Sequence, residues 1–323
     1  MKQVLSRRSK FERREDRAKI GSIGSNLVLS KTLARYEICF DDFSSFIRSL
    51  KDARVCSESE FVDGGLVQYL EHLWQEGEGL AVANYTLAGI LHFIPSLRTE
   101  LSCSRRIIKG WQRLELPARA TPLTLDMLLA MCGLFVIWGV PHAAYCLLVG
   151  FDLFLRTHEF TGLRLGMFTM NGECTSCVLS FLDGTKTSSR KVAATEALVI
   201  RDHLVLSVVK RLLCPSRKLQ PGDYASGLTP SQFVHIFGKA VTFLKLTNFN
   251  VRPYSVRRGG ATNHFRLNAN MAMTVVKGRW ASPRSARIYI EDGLAALGQV
   301  KLTALQTKDT ESLKHIFLRH CKQ

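Results

Sequence analysis

Residues 251–292 read VRPYSVRRGGATNHFRLNANMAMTVVKGRWASPRSARIYIED, and the interpretation of the whole chain starts from them. A pair of arginines that begins at Arg257 closely follows Tyr254, and Tyr289 lies nine residues after Trp280. A guanidinium stays charged and donates two parallel hydrogen bonds, so it suits the paired oxygens of a phosphate. A tyrosine at a fixed distance from such arginines is a candidate nucleophile, although a lone tyrosine is more often a half-buried aromatic.

The net charge of the chain favours a polyanionic partner. Lys and Arg number 44 and Asp and Glu number 27, which gives a formal net charge of +17 over 323 residues. Such an excess is most simply explained by binding to nucleic acid. An acidic membrane surface is the rival, but it would need a basic amphipathic segment or a lipidation signal, and neither is evident. With 46% hydrophobic residues the chain can bury a substantial core, and its length allows two domains.

The cysteines and the apolar segments indicate an intracellular protein that is not secreted. Nine cysteines, an odd number, are scattered along the chain, as is typical of free thiols in a reducing compartment. The only CxxC motif, at 174–177, has no second pair and no matched histidines, so no metal site is predicted. The N-terminus lacks the apolar stretch of a secretory signal. The most apolar stretch, 127–140, is broken by Pro141 and is short for a membrane span.

The first third of the chain has the pattern of a basic arm followed by helices. Residues 1–29 contain the run RRSKFERREDRAK and predict a flexible basic arm, which either touches a phosphate backbone or is simply solvated. Apolar residues then recur at helical spacing. They predict helices over residues 32–50, 60–77, 82–93 and 102–112. Residues 30–116 are therefore predicted to be a small all-helical domain, and LPARAT at 116–121 marks its boundary.

The remainder of the chain predicts a second domain over 121–300 and a tail over 301–323. Helices are expected at about 124–138 and 142–154, after Asp202, Thr229, Ser255 and Ser282, around 272–277, and at 311–319. The helix after Ser282 is predicted to carry Tyr289. Alternating residues at 178–182 and 197–200 predict two strands joined by a turn at Asp183-Gly184. The fold class is therefore mainly α with a small β-sheet, an α+β protein.

Three charged side chains in this second domain need an explanation. Arg156 and Glu159 stand three positions apart, so on a helix they would share one face. An arginine among apolar residues is costly unless it is paired or binds a ligand, and Glu159 is its local partner. A plain surface ion pair is the alternative. Lys186, close to the hairpin turn, is either a solvated edge charge or a lysine that reaches into a phosphate site.

In their order and spacing these elements resemble the tyrosine recombinases, the phage integrase-like family. Members carry an arginine in an LR..E context, a hairpin lysine, an H-x-x-R box, a histidine or tryptophan, and a tyrosine about nine residues later. The matching positions in this chain are Arg156 with Glu159, Lys186, Arg257, Trp280 and Tyr289. The sequence GGAT that follows Arg258 looks like the family's continuation of the box. The segments KGRWAS and ARIYIEDG look most like recombinases of eukaryotic mobile elements.

The resemblance implies that residues 30–116 are a DNA core-binding domain and residues 121–300 a catalytic domain. Tyr289 would attack a DNA phosphodiester and give a covalent 3′-phosphotyrosine and a free 5′-hydroxyl, and a 5′-hydroxyl would later reverse the step. The bond energy stays in the phosphotyrosine, so neither a metal nor another cofactor is needed. The implied partner is double-stranded DNA, bound by a homo-tetramer on two duplexes, in the nucleus if the chain is eukaryotic.

The same resemblance assigns supporting roles to the other matching residues. Arg156 and Arg257 would bind the non-bridging oxygens of the phosphate, where negative charge develops. Trp280 would donate its indole N–H or pack the site. Lys186 would protonate the leaving 5′-oxygen, and Glu159 would orient Arg156.

One position departs from the family pattern. Tyr254 stands where the box has its histidine, which is thought to serve in proton transfer and in gripping the phosphate. A phenol can donate to a phosphate oxygen, but with a pKa of about 10 it is a poor general base at neutral pH. A DNA-binding protein of the same fold with impaired catalysis is therefore the alternative. A chance match in a protein that binds RNA or another polyanion is also open, and it predicts that the site residues do not converge.

Overall fold

A computed structural model describes residues 9–49, 58–115, 119–181, 196–214, 220–291, 293 and 301–322. The chain divides into two compact units, one within Leu5–Ala118 and the other within Arg119–Gln323. The described part of the first unit is helical, and the second combines helices with one small antiparallel sheet. The prediction of a mainly helical α+β protein is confirmed.

The first described helix, α1 (Lys10–Ile20), lies within the segment predicted to be a flexible arm. A capping box fixes its start: Glu12 N donates to Ser9 Oγ at 3.2 Å and Ser9 N donates to Glu12 Oε2 at 2.7 Å. Arg17 and Lys19 in the last turn suit the negative end of the helix dipole. The described side chains of α1 are mostly exposed, so capping rather than burial accounts for the helix that the sequence analysis overlooked.

The core of the first unit is closed by four helices near the predicted positions. They are α2 (Ser30–Ser49), α3 (Glu58–Gln75), α4 (Leu80–Phe93) and α5 (Ser102–Leu114). Their apolar faces bury Leu66, Leu70, Ile90, Leu101 and Trp111. Asp63 is buried at the start of α5, where its carboxylate accepts the backbone N–H groups of Cys103 and Ser104 at 2.9 Å each. Those are orphan donors of a helix N-terminus, which explains why a carboxylate is buried there.

An apolar core occupies the centre of the second unit, where α6 (Leu125–Ile137), α7 (Pro141–Asp152) and α14 (Ala304–Lys322) pack together. The backbones of α6 and α14 approach so closely that a Cβ on Gly133 would lie 2.1 Å from Leu313 O. Helix α14 is longer than the predicted 311–319 because Thr303 and Gln306 cap its start reciprocally. Phe317 anchors it in the core with no exposed surface.

The sheet of the second unit is antiparallel with the order β1-β2-β3. Its strands are β1 (Phe168–Met170), β2 (Cys177–Phe181) and β3 (Glu196–Ile200). The predicted hairpin corresponds to β2 and β3, which pair with Leu179 opposite Leu198. The sequence does not predict β1, because three residues are too few for an alternating pattern. Lys186 and the predicted hairpin turn lie in 182–195, outside the described residues.

Six further helices belong to the described part of the second unit. They are α8 (Thr157–Thr161), α9 (His203–Leu212), α10 (Pro230–Phe243), α11 (Tyr254–Asn268), α12 (Met271–Lys277) and α13 (Pro283–Arg287). Asp202, Thr229 and Ser282 cap their helices, in agreement with the predicted starts. The prediction that the last of these helices carries Tyr289 is wrong. Helix α13 ends at Arg287, and Tyr289 N donates to Ala286 O at 2.9 Å in the tight turn that follows.

Three further properties concern only the described ranges. No helix there combines the length and the apolar character that crossing a bilayer requires. The same ranges contain no group of three or more His, Cys, Asp or Glu side chains that could hold a metal ion. Every cysteine that the structure describes is a free thiol.

Candidate active site

Four segments of the second unit meet next to Phe154, which follows α7. They are the connection from α7 to α8, the first turns of α11, the connection from α12 to α13, and the turn after α13. Phe154, Ala261, Trp280 and Ala286 form a small apolar cluster there, and Tyr289 packs against it. The polar groups gathered around it are called the arginine–tyrosine cluster below: Arg156, Glu159, Tyr254, Arg257, Arg279, Trp280 and Tyr289.

Arg257 lies at the centre of this cluster and has no exposed surface. Its Nη1 donates to Phe154 O, and its Nη2 donates to Gly278 O at 2.9 Å. Its guanidinium carbon lies 5.0 Å from the ring centroid of Trp280 and 5.2 Å from that of Tyr289. The burial of this charge and the nearby cations Arg156 and Arg279 lower the pKa of Arg257 to about 10. Two carbonyls and two aromatic faces therefore fix a cation directly beside the candidate nucleophile.

The glycines of the sequence motif bring the backbones close enough to build this site. A Cβ on Gly259 would lie 2.0 Å from Leu123 O, and a Cβ on Gly260 would lie 2.0 Å from Phe151 O. Real carbon atoms do not approach oxygen that closely, so α11 packs against Leu123, just before α6, and against the end of α7 only with glycine at both positions. A Cβ on Gly278 would lie 1.9 Å from the indole ring of Trp280. The close packing after Arg257 thus places its guanidinium against the α7–α8 connection.

A wall of aromatic rings runs from Phe154 to Tyr254. Phe154 stacks on Trp280 with ring centroids 6.1 Å apart, and Trp280 contacts Tyr289 at 4.8 Å. Tyr289 contacts Tyr254 at 5.7 Å. The main chain of Tyr289 is held as well, because its carbonyl accepts a hydrogen bond from Thr262 Oγ1 at 3.3 Å. The phenol of Tyr289 is therefore positioned by packing against the rings of Trp280 and Tyr254 and by its own backbone.

The environment of Tyr289 favours the phenolate. Burial alone would raise the pKa of Tyr289, because it disfavours the charged form. A hydrogen bond from Tyr254, the charge of Arg257, the nearby indole N–H of Trp280 and the charge of Arg156 outweigh burial and lower the pKa below its usual value of 10.0. Of the two neighbouring phenols, Tyr254 and Tyr289, Tyr289 is therefore the more acidic.

Tyr254 has the opposite character. Burial and the hydrogen bond to Tyr289 raise the pKa of Tyr254 well above the usual range of a phenol. Tyr254 therefore stays protonated and is a hydrogen-bond donor available to the Tyr289 oxygen, since the two rings are in contact. It is 37% exposed, so its ring also borders solvent. At the position where the family pattern has histidine, this chain places a hydrogen-bond donor to Tyr289 rather than a base.

Arg156 and Glu159 form the predicted ion pair, with Arg156 Nη1 2.9 Å from Glu159 Oε1. Their backbone arrangement differs from the prediction of two residues on one helical face. Arg156 precedes α8, and its backbone N–H donates to Glu159 Oε2 at 2.8 Å, so the glutamate caps the helix start. The side chain of Glu159 is 2% exposed and that of Arg156 is 23% exposed. The carboxylate is thus the buried partner, while the guanidinium reaches the surface of the site.

Arg279 is a second partner of Glu159 that the sequence analysis did not select. Arg279 Nη2 lies 2.6 Å from Glu159 Oε2, and its Nη1 lies 3.0 Å from Glu196 Oε2 at the start of β3. Its side chain is 5% exposed. Burial and these neighbours act on Glu159 in opposite directions: burial would raise its pKa, but Arg279 and Arg156 lower it. The carboxylate of Glu159 therefore stays ionised between two arginines.

The cluster contains buried donors that no described part of the chain satisfies. They include Arg257 Nε, Arg279 Nε and Trp280 Nε1, and two nitrogens of Arg258 also belong to this group. Each of these atoms carries hydrogen and none can accept a hydrogen bond. A buried donor without a partner costs roughly 1–3 kcal/mol. A group of such donors beside an acidified phenol is an arrangement suited to an anion with several oxygens.

Solved structures share the fold of this chain. Over 85% of this chain and 95% of the other, the integrase of the Tn1549 transposon in complex with transposon right end DNA gives a TM-score of 0.57 at 13% identity. A lambda integrase dimer bound to a core site gives 0.55 at 15% identity, covering 88% of this chain and 94% of that one. The XerH site-specific recombinase bound to its difH substrate before cleavage gives 0.54 at 18% identity, covering 80% and 76%.

The chain has the tyrosine-recombinase fold. At identities of 13–18% these likenesses establish the fold alone. No protein-family model matches the sequence, and no curated protein matches it either. Within the tyrosine-recombinase fold of this chain, the structure brings the residues selected from the sequence into one cluster, apart from Lys186, which lies outside the described residues. Their convergence is contrary to what a chance match of motifs predicts.

Two arginines of this recombinase fold could not be selected from the sequence as buried groups. Arg279 has no apolar periodicity around it that would indicate burial. Arg258 is 2% exposed, and its Nη2 lies 2.7 Å from Glu291 Oε1 as an ion pair without hydrogen-bond geometry. Its position directly after Arg257 is the one available signal, because consecutive residues of a buried helix both lie close to the core. Glu291, two residues after Tyr289, holds the end of the turn that carries Tyr289 to α11 through this pair.

Proposed function

We propose that this chain is a site-specific DNA recombinase that cuts and rejoins DNA through a 3′-phosphotyrosine at Tyr289. One observation carries the proposal: Tyr289, a phenol with a lowered pKa, has its ring centroid 5.2 Å from the guanidinium carbon of Arg257, and the buried donors around it lack partners among the described residues. Phosphodiester transfer needs a nucleophile and donors for the non-bridging oxygens, and the cluster offers both.

The proposed reaction is a transesterification that conserves the number of phosphoester bonds. The Tyr289 oxygen forms a bond to phosphorus, and the bond between phosphorus and the 5′-oxygen breaks. The proton of Tyr289 goes to solvent, and the 5′-oxygen leaves as a hydroxyl after it takes up a proton, for which Lys186 is the proposed donor. A second 5′-hydroxyl then attacks the phosphotyrosine and releases Tyr289. Neither step requires a metal or a nucleotide cofactor.

The arginines and Trp280 are proposed to bind the phosphate. Arg156 has the exposure needed to meet DNA, whereas both Nη atoms of Arg257 bond to backbone carbonyls and leave its Nε for the phosphate. The indole N–H of Trp280 would donate to a second non-bridging oxygen. Removal of a preorganised donor of this kind typically costs about 3–4 kcal/mol of transition-state stabilisation. Glu159 is proposed to orient Arg156 and not to contact the DNA.

Tyr254 is proposed to orient and acidify Tyr289 by donating a hydrogen bond to its oxygen. The raised pKa of Tyr254 and the lowered pKa of Tyr289 support this division of roles. The resemblance to the tyrosine recombinases, whose motif has histidine at this position, predicts that Tyr254→His is as active as the unaltered chain or more active. The geometry adds that the histidine has to donate to the same oxygen, so the imidazole must be protonated or present its N–H to Tyr289.

The first unit is proposed to be the DNA core-binding domain. Three exposed basic side chains, Arg106, Lys109 and Arg113, recur at three- and four-residue spacing on the face of α5 opposite the buried Trp111. Such a stripe matches the charge of a phosphate backbone, and its binding should weaken steeply with salt. We further propose double-stranded DNA as the partner, a homo-tetramer on two duplexes as the assembly, and the nucleus as the location in a eukaryotic host.

The experiment for this proposal is covalent capture from a pool of nicked duplexes with randomised sequence. The nick lets the short 5′-hydroxyl fragment diffuse away after attack, so the phosphotyrosine is trapped. Denatured protein is then recovered, and the attached DNA is sequenced. We expect DNA on the unaltered chain and on Tyr224→Phe, a tyrosine of the same unit outside the cluster, but none on Tyr289→Phe. Adducts of equal yield with Tyr289→Phe would contradict the proposal.

A mobility-shift measurement on the same pool distinguishes the second candidate function. The motive for it is Tyr254, which replaces the usual histidine. A chain that binds selected duplexes tightly at low salt and forms no adduct on any of them is a DNA-binding protein of this fold with impaired catalysis. If the protein neither binds a duplex nor forms an adduct, both candidate functions are ruled out.

A further inference from the structure

Arg279 occupies a backbone conformation that arginine rarely adopts. Its φ is +58°, in the left-handed region. A non-glycine residue is strained there, whereas glycine would occupy the position without strain. Gly278 directly precedes it with an ordinary φ of −78°. The strained conformation therefore belongs to Arg279, which has the longest side chain in this turn, and not to the adjacent glycine.

The side chain of Arg279 joins three segments of the second unit. Its two Nη atoms bind both oxygens of Glu159, at 2.6 Å and 3.3 Å, and Nη1 also binds Glu196 Oε2 at 3.0 Å. Glu159 belongs to α8, Glu196 begins β3, and Arg279 itself precedes Trp280 in the α12–α13 connection. The guanidinium also lies over the ring of Phe181, with 5.5 Å between its carbon and the ring centroid.

The charges of this arrangement decide what Arg156 can do. Arg156 and Glu159 by themselves are a neutral pair, and a neutral pair attracts a phosphate only weakly. Arg279 adds a second positive charge and Glu196 a second negative one, so the four groups together are neutral, whereas without Arg279 they would carry one negative charge. Arg279 is buried and Arg156 is the more exposed member, with side chains 5% and 23% exposed. With both carboxylates offset, Arg156 is the member of this network whose positive charge lies nearest the surface of the site.

We propose that Arg279 is a positioning residue that neutralises Glu159 and thereby keeps the charge of Arg156 available for the scissile phosphate. This inference rests on the proposed function, and it adds a residue that the motif pattern does not include. In this account Arg279 does not touch DNA. It fixes the carboxylate that orients Arg156, much as outer partners of a metal ligand fix that ligand.

The environment of neighbouring groups agrees with this assignment. Arg279 is the first group that offsets the burial of Glu159 and lowers its pKa. Arg156 in turn is among the groups that lower the pKa of Tyr289. The loss of Arg279 should therefore reach Tyr289 indirectly: Glu159 would be neutralised by Arg156 alone, and the field of Arg156 at the phenol would weaken.

The experiment uses the full chain with Arg279→Met and Arg279→Lys, which keep a non-glycine residue at the strained position. Lys277→Met is the matched control, because Lys277 lies in the same segment and forms an ion pair with Asp152 at 2.7 Å outside the cluster. The first readout is the ionisation of Tyr289, taken as the alkaline absorbance titration of each protein minus that of its Tyr289→Phe counterpart. The second is the rate of adduct formation against pH on captured DNA.

We expect Arg279→Met to raise the pKa of Tyr289, to slow adduct formation about tenfold or more, and to move the pH midpoint of the rate upward. Arg279→Lys should restore the titration of Tyr289, because it returns the charge. Lys277→Met should lower thermal stability and leave both readouts unchanged. A merely structural role predicts lower stability for Arg279→Met with an unchanged midpoint, and that result would overturn the inference.

Two outcomes separate this inference from the proposed function. If no DNA forms an adduct with the unaltered chain, the proposed function fails, but the titration of Tyr289 still tests Arg279. If Arg279→Met does not melt cooperatively, Arg279→Lys decides alone. A pKa of Tyr289 in Arg279→Lys equal to that of the unaltered chain supports the role of charge. A raised pKa in that folded variant overturns it.

Discussion

The apolar core around α6, α7 and α14 and the centre of the arginine–tyrosine cluster are both buried, yet they are built on different principles. The first is filled by side chains such as Leu128, Leu147 and Phe317, none of which has exposed surface. The second buries Arg257 completely and Arg279 to 8% exposure. Among the described residues, the buried side-chain nitrogens and oxygens without a partner belong to Arg258 and to members of this cluster.

This difference distinguishes the side chains that stabilise the fold from the side chains that are available to bind a ligand. Burial of apolar side chains stabilises at about 25 cal/mol per Å² and leaves nothing unsatisfied. Buried donors without partners reduce stability, and a protein retains them where a ligand completes their bonds. The glycines show the same contrast. Gly133 lets two helices close the apolar core, whereas Gly259 and Gly260 let α11 bring Arg257 to the site.

The largest expected effect is a loss of activity that follows a substitution in the arginine–tyrosine cluster but not a substitution in the apolar core. Arg257→Met removes the central cation, and we expect adduct formation per folded molecule to fall by about 10²–10³-fold. Phe317→Ala should lower the free energy of unfolding by about 3–5 kcal/mol and leave the rate per folded molecule unchanged. Denaturant unfolding and single-turnover kinetics on the same preparations measure both quantities. A rate loss in Phe317→Ala as large as that in Arg257→Met would mean that the contrast between the regions is mistaken.

A smaller effect should appear as a shift in pH dependence. The hydrogen bond from Tyr254 lowers the pKa of Tyr289, so its removal in Tyr254→Phe should raise that pKa. The attacking form is the phenolate, so the rate of adduct formation rises with pH through the pKa of Tyr289. We therefore expect the midpoint of the pH–rate profile of Tyr254→Phe to lie at higher pH. A midpoint at unchanged or lower pH would show that Tyr254 does not act on Tyr289.

The smallest effect is expected at the rim of the apolar core. Lys314 Nζ lies 2.8 Å from Asp126 Oδ1, and both side chains are partly exposed. The pair joins α14 to α6, and its loss in Lys314→Met should lower the free energy of unfolding by about 0.2–1 kcal/mol. The difference should shrink at high salt, because screening weakens exposed pairs. A loss as large as that in Phe317→Ala would indicate that α14 is held by charge and not by its apolar face.

The sequence predicts the apolar region better than the cluster, and the reason is physical. Helix periodicity and capping residues such as Asp202 and Thr229 are local signals, so most of the helices that the sequence predicts lie within a few residues of their observed bounds, while α1 is missed and α14 starts earlier than predicted. The pair Arg156–Glu159 is also local and was found. The contact of Arg279 with Glu159 joins residues 120 positions apart, and nothing local reports such a contact.

The sequence also misses one strand and misplaces Tyr289, and both failures have a local cause. The strand Phe168–Met170 is too short for its alternation to be recognised. The placement of Tyr289 on a helix fails because α13 closes after five residues with a tight turn. That turn contributes to the site because it brings the Tyr289 ring against Arg257 and Trp280.

The central claim is that the two adjoining phenols have different roles, with Tyr289 as the nucleophile and Tyr254 as its hydrogen-bond donor. Peptide mapping of the adduct captured from the nicked DNA pool tests it directly, because nuclease digestion leaves a nucleotide on the tyrosine that attacked. The account predicts the nucleotide on the peptide with Tyr289, no modification of Tyr254, and no adduct with Tyr289→Phe. A nucleotide on Tyr254, or on any residue outside the arginine–tyrosine cluster, would contradict it.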